Sequence, residues 1–426
     1  MLEDDALLFS LGDLADGQVN GTAVDEVEEL REQLANLQAQ FNAYRAEVQK
    51  SLITKLEDVD APKEGNTRAT NIHGAAEQDA TQTLEEQVDS GYFESYSYNS
   101  IHEIMLKDTV RTDAYRDFIY ENKELFQNKV VLDVGCGTGI LSMFCAKAGA
   151  KTVYAVDNSG IIEKARQNVA QNGLQDIVKC IRGKIEEVAL PTDKVDIIVS
   201  EWMGYCLLYE SMLDSVIYAR DKYLVPGGLM VPSHATLQIA PLADSEIQVS
   251  HVGFWQDVYG FDMTHMLEKA HREVLARPVD AEEIAADSAT FLQLDLRTAA
   301  KKDLTFEKGY KFEWKEGHKL LEGLVIWFDI FFLASSEASL ATSMTVPLAK
   351  KEGIVAFSTG PATKQTHWQQ GVFLIEDSNV APLAGEMVLG TVTYRKREEL
   401  DRSLEITISW KTEKEHDLHA QTWDLE

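Results

Sequence analysis

The sequence predicts an α/β domain with a parallel sheet, followed by an antiparallel β domain and preceded by an acidic helical extension. Three observations lead there. From Val130 to Pro232 short β-rich runs alternate with helical stretches, the pattern of a parallel sheet with helices on its faces. After Pro232 the runs HATLQIAPL, ATFLQLDL, LVIWFDIFFL, GVFLIED and LEITISW are separated by turns instead. The first 90 residues hold 20 acidic side chains against 6 basic ones and read as an appendage. The expected divisions are 1–83, 84–232 and 233–426.

Within the extension Val27, Leu30, Leu34, Leu37, Phe41, Tyr44 and Val48 recur in steps of three and four, which places them on one seam of a helix over about 23–56. That seam suits packing on its own protein, coiled-coil pairing or docking on a partner. Residues 57–83 mix Pro, Gly, Asn, Thr and Ala without a period, as a solvated linker does. In the next division VVLDV, TVYAVD, IVKCI and VDIIVS are the expected strands, and 161–172 is an expected helix. The aromatic stretch from about 250 to 277, centred on FWQDVYGFDMTHMLEKA, is expected to be partly helical and outside any sheet.

Composition narrows the function classes. With 40 Lys+Arg against 70 Asp+Glu the net charge is −30, which argues against general nucleic-acid binding. No apolar run is long enough to cross a bilayer, and Asp329 interrupts the strongest one. The start MLEDDALLFS is acidic where a secretory signal is basic. Cys136, Cys145, Cys180 and Cys206 form no CxxC pair, so neither a disulfide framework nor a zinc finger is expected. The histidines offer no metal-ligand spacing. A soluble protein of the cytosol or nucleus, without metal, fits these facts.

The chemistry concentrates in two segments. In VLDVGCGTGILS the glycines 135, 137 and 139 form a turn between a strand and a helix, where absent side chains let a ligand approach backbone amides and the helix N-terminus. The spacing is GxGxG, not GxGxxG, and Asp133 lies two residues before the first glycine. That shape resembles the S-adenosylmethionine turn of class I methyltransferases. Asp157 ends the following strand, where a carboxylate can accept from both hydroxyls of a ribose. The second segment, SEWMGYCLLYESML, follows the strand VDIIV and so emerges at the carboxyl edge of the sheet. Its Glu201 and Glu210 flank an apolar loop. Two carboxylates held together there call for a planar, bidentate cation such as guanidinium.

This second segment resembles the double-glutamate loop of protein arginine N-methyltransferases. The resemblance runs from YFESY at Tyr92 through THW at Thr366 to near the C-terminus, roughly three quarters of the chain. The opening EDDALLFSLGDL and the heptad seam resemble the subfamily that carries an N-terminal C2H2 zinc finger, although no finger can form from this sequence. The implied architecture is a class I methyltransferase Rossmann-like domain, a β-barrel-like domain with a helical dimerisation arm over about 250–277, and a helical N-terminal extension. The implied cofactor is S-adenosylmethionine, leaving as S-adenosylhomocysteine.

The resemblance also implies roles. Asp133, Gly135 and Gly137 line the methionine end and ribose of the cofactor, Asp157 holds the ribose hydroxyls, and Glu186 accepts from the adenine amino group, with His102, Lys184 and Ile185 completing that surface. Arg111 pairs with the cofactor carboxylate. Tyr92, Phe93 and Tyr96 form a lid. Glu201 and Glu210 grip the substrate guanidinium, while His367 paired with Asp108, or Glu210 itself, accepts the proton. Met105 and Met212 flank the target nitrogen as in type I enzymes, which make asymmetric dimethylarginine. The arm implies a homodimer, the acidity suits basic Gly/Arg-rich substrates, and the zinc-finger subfamily implies cytosolic work on ribosomal proteins. A class I methyltransferase for RNA or a small molecule, and a silent cofactor-binding scaffold, are the alternatives, and the paired glutamates weigh against both.

Overall fold

In the computed structural model the described residues are 84–426 without 244–245, 269–270, 319, 377–379 and 398–399. The heptad helix and the linker lie outside them. Helices α1 (Leu84–Ser95), α2 (Asn99–Lys107), α3 (Thr109–Glu121) and the one-turn α4 (Lys123–Phe126) come first. Then β1 (Val130–Val134), α5 (Ile140–Lys147), β2 (Thr152–Asp157), α6 (Ile162–Gln171), β3 (Val178–Arg182), β4 (Val195–Val199), α7 (Met212–Tyr223) and β5 (Leu224–Val231) follow in the expected alternation. The five strands make one parallel sheet in the order β3-β2-β1-β4-β5. Val131, Leu132, Val153, Ala155, Ile198 and Val199 have no exposed surface, as strands covered on both faces require. The strand order reverses between β1 and β4, and the crevice of such a sheet opens there, at the carboxyl ends.

The chain then becomes antiparallel. Strands β6 (His234–Leu242), β7 (Leu275–Arg277), β8 (Ala289–Asp295), β9 (Phe306–Glu313) and β10 (Gly323–Phe332) are followed by helix α8 (Val346–Lys351). Strands β11 (Val355–Ser358), β12 (Gln370–Leu374), β13 (Met387–Arg397), β14 (Leu400–Thr412) and β15 (His419–Leu425) complete it. They form a six-stranded sheet, β7-β12-β10-β6-β8 with β11 on β10, and a four-stranded sheet, β15-β14-β13-β9. Aromatic pairs join the sheets along both sides, which gives the expected barrel-like body. Phe306 stacks on Tyr394 at 4.9 Å with Phe291 beside both, and Phe373 meets Trp423 edge-on at 5.4 Å.

The parallel-sheet and barrel halves share one core. Tyr115 of α3 packs on Phe332 of β10 at 5.0 Å, and Arg220 of α7 donates to the carbonyls of Leu296 and Ala299 at 2.8 and 2.7 Å. The 250–277 stretch differs in one respect from its prediction. It begins as short turns of π and 3-10 helix, but its last three residues are β7, paired with β12. Three residues carry no readable period, so this edge strand is invisible in the sequence. Before it, Phe254, Tyr259 and Phe261 are exposed, Tyr259 almost fully at 97%.

Candidate active site

The crevice at the strand ends contains a cavity of about 460 Å³, closed on one side by α1 and α2, within the usual range for small-ligand pockets. The glycine turn forms its floor. Gly135 has φ +71°, and a Cβ there would come within 2.2 Å of the Met212 Cε, so any side chain would displace that methionine. His102 rides on the turn near Gly137, its Nε2 lying 2.8 Å from the Tyr96 carbonyl oxygen. Burial lowers its pKa.

Asp157 lines the cavity from the end of β2. Its Oδ2 accepts the Gly137 N–H at 2.8 Å, and its Oδ1 accepts the Ser159 N–H at 2.8 Å and hydroxyl at 2.6 Å. Lys184, Ile185 and Glu186 form the wall beyond β3. A glycine turn, a strand-end carboxylate and aromatic rings along one side together fit an adenosine-bearing sulfonium. Asp133 departs from its expected place. It is fully buried, accepts the Ser142 hydroxyl of α5 at Oδ2 over 2.6 Å, and does not border the cavity. Strand alternation aims it at α5, one residue too early to reach the crevice. Burial pushes its carboxyl up to about 7.

The lid comes from α1 and the turn after it. Tyr92, Phe93 and Tyr96 all border the cavity, with Tyr92 and Tyr96 in ring contact at 5.0 Å. Tyr96 Oη donates to Glu210 Oε2 at 2.9 Å. Burial, then the charge of Glu210, raises both phenol pKa values.

Glu201 and Glu210 both face this cavity. Burial pushes the Glu210 carboxyl up to about 7, against the Tyr96 hydrogen bond and with help from the Glu201 charge. Glu201 already holds a guanidinium. Arg111 Nε and Nη2 donate to its Oε2 at 3.0 and 2.8 Å, and the Met203 N–H approaches Oε1 at 3.3 Å. The resemblance implies that Arg111 faces a cofactor carboxylate. In this state it is paired inside the protein, because a buried cation beside a buried carboxylate satisfies both.

Asp108 caps α3, its Oδ1 accepting the Arg111 N–H at 3.1 Å. Its Oδ2 accepts from His367 twice, from the backbone N–H at 2.9 Å and from Nδ1 at 2.8 Å. Burial alone raises the Asp108 pKa, but these donors outweigh it and hold the carboxyl below its usual value. His367 borders the cavity and Asp108 does not, so Asp108 meets the cavity only through the ring it holds. Trp368 donates its indole N–H to the Met203 carbonyl at 2.9 Å, fixing the THW segment against the glutamate loop. Met105 and Met212 line the same cavity.

Two site residues escaped the sequence reading. Asp89 of α1 and Arg402 of β14 border the cavity and pair with each other at 2.6 Å. Asp89 could have been found from its spacing, since Asp89 and Tyr92 lie on one face of α1 at i and i+3. Arg402 sits among charged residues near a hairpin tip and gives no local signal.

Comparison with known proteins matches this fold. Residues 131–228 match the methyltransferase domain family, and residues 233–415 match the arginine methyltransferase oligomerization subdomain. Ribosomal protein arginine N-methyltransferase rmt3 of Schizosaccharomyces pombe is 40% identical over 96% of this chain and 73% of its own length. Protein arginine N-methyltransferase 1 of the same yeast is 47% identical over 75% of this chain and 88% of its own. Among solved structures, the Trypanosoma brucei PRMT1 enzyme–prozyme heterotetrameric complex with AdoHcy superposes with a TM-score of 0.71 at 35% identity, covering 78% of this chain and 100% of that one. Protein arginine methyltransferase 10 of Arabidopsis thaliana gives 0.68 at 30% identity, covering 79% of this chain and 100% of that one. With its glutamate loop, glycine turn and capped THW histidine in one crevice, the chain belongs to the protein arginine N-methyltransferase family.

Proposed function

We propose that this S-adenosylmethionine-dependent arginine methyltransferase places two methyl groups on one guanidinium nitrogen, giving monomethyl and then asymmetric dimethylarginine in basic, Gly/Arg-rich proteins. The observation that carries the proposal is the placement of Glu201, Glu210, Met105 and Met212 around one cavity. When bound, the cofactor supplies an electrophilic methyl on a sulfonium. Everything else falls to the chain. Asp157 and Glu186 would hold the ribose and adenine, and Tyr92, Phe93 and Tyr96 would keep water from the sulfonium.

A substrate guanidinium arrives protonated, with its lone pairs delocalised. Glu201 and Glu210 orient it and draw positive charge toward the nitrogens they touch, leaving the remaining terminal nitrogen to attack; positioning of this kind supplies much of the acceleration. As the new N–C bond forms, that nitrogen becomes more acidic. Glu210 is the acceptor we favour for its proton, because burial already raises its basicity. His367, held by Asp108, steadies the wall behind it. The flexible thioethers of Met105 and Met212 leave space for the first methyl during the second transfer.

Two features support the wider reading. The exposed Phe254, Tyr259 and Phe261 lie in the residues that match the oligomerization subdomain, and a self-complementary homodimer would cover them. The match to rmt3 runs over 96% of this chain, against 75% for protein arginine N-methyltransferase 1. The acidic extension is therefore shared with a relative named for ribosomal proteins, which supports substrates of that class. Incubating the chain with an Arg-Gly-Gly peptide and labelled donor, then fragmenting the products by mass spectrometry, tests the proposal. Asymmetric dimethylarginine is expected, and symmetric dimethylarginine, or label on RNA alone, would contradict it.

A further inference from the structure

Arg402 of β14 reaches three parts of the site at once. Its Nε donates to Asp89 Oδ1 on α1 at 2.8 Å, and its Nη2 lies 2.6 Å from the same oxygen. The plane of the guanidinium covers the Tyr92 ring, with Cζ 3.8 Å from the centroid. Its Nη1 donates to the Glu210 carbonyl at 2.6 Å, and its own carbonyl accepts the Glu210 N–H at 2.9 Å.

Glu210 needs such support. Its φ is +72°, and Ser211 follows at +56°, a left-handed conformation that residues with side chains keep only where their surroundings fix it. Arg402 holds the Glu210 backbone through both its N–H and its C=O. The Glu210 carboxylate is held from the lid, by Tyr96. Asp89 also accepts from Lys184 Nζ, on the wall beyond β3. A closed circuit results, running from α1 through Arg402 to Glu210 and back through Tyr96.

We propose that Arg402 is a positioning residue that makes closure of the α1 lid and orientation of Glu210 a single event, so that the glutamate is set for guanidinium only when the cofactor is covered. The proposal rests on the reading of Glu210 as a guanidinium ligand. Lysine cannot replace the arginine, because a point charge cannot serve the carboxylate, the carbonyl and the ring together.

The test uses the full chain, with Asp89→Asn, Arg402→Lys and the double variant. Affinity for S-adenosylhomocysteine is read by calorimetry, and kcat with an Arg-Gly-Gly peptide is read at saturating methyl donor. Asp89 makes no contact with Glu210, yet Asp89→Asn should weaken S-adenosylhomocysteine binding and also lower kcat about 10-fold through lost positioning. The double variant should lose no more than the worse single one, as members of one circuit do. Weaker cofactor binding with wild-type kcat would mean that lid and glutamate act independently, and would overturn the proposal. So would wild-type values for both. Asp89→Asn is nearly isosteric and keeps the test readable if Arg402→Lys does not fold. A wild-type chain that binds S-adenosylhomocysteine but leaves the peptide unmethylated would instead overturn the arginine reading on which the proposal stands.

Discussion

Arg111 and Glu201, 90 residues apart, form a buried ion pair in which two guanidinium nitrogens converge on a single carboxylate oxygen. On the reading proposed above, a substrate guanidinium would therefore sit beside one that the protein supplies itself.

Arg111→Ala should destabilise the fold by about 3–5 kcal/mol, since it leaves a buried carboxylate without its cation. Chemical denaturation of the cofactor-free protein reads this, and an unchanged midpoint would mean that the pair carries no structural weight. Affinity for S-adenosylhomocysteine should fall in the same variant.

Glu210 should give the enzyme a pH dependence. Its carboxyl is pushed up to about 7, above the ordinary range, so it is largely protonated in acid and gains charge as pH rises through that value. Only the charged form holds a guanidinium and takes a proton. The kcat/KM for a peptide should therefore rise across neutral pH, and Glu210→Gln should flatten that limb. A limb unchanged in the variant would assign the titration elsewhere.

Met105→Phe should slow the second methylation more than the first, because a rigid ring removes the space the thioether concedes. Mass spectrometry of a single-arginine peptide should show monomethyl product accumulating. An unaltered ratio of mono- to dimethyl product would remove Met105 from the product-setting wall.

Replacing Tyr259 and Phe261 together with Ser should yield monomers in sedimentation that keep the wild-type circular dichroism spectrum, because both side chains are exposed in the single chain. Persistent dimers would relocate the interface.

The parallel sheet was legible because its central strands are apolar runs buried on both faces, and the glycine turn because few other residues tolerate its backbone. The glutamate loop was legible as a pattern, since Glu201 and Glu210 follow a strand whose end must face the crevice. What faces what was harder to read. Arg402 and Asp89 are 313 residues apart, and no local period records such a contact. Asp133 lies on the right strand, but spacing does not say which helix its side chain meets. The resemblance implies a partner for Arg111 outside the protein, while its partner in this state is Glu201, a pairing set by how α3 packs on the end of β4.

The most direct test of the central claim is Glu201→Gln, with donor binding and peptide turnover measured on one preparation. The amide keeps the shape of the side chain and removes its charge, so S-adenosylhomocysteine should still bind while methyl transfer falls by about 100-fold or more, as expected when oriented charge stabilisation is lost. Turnover near the wild-type rate, or loss of donor binding in step with turnover, would contradict the assignment of this glutamate to the arginine headgroup.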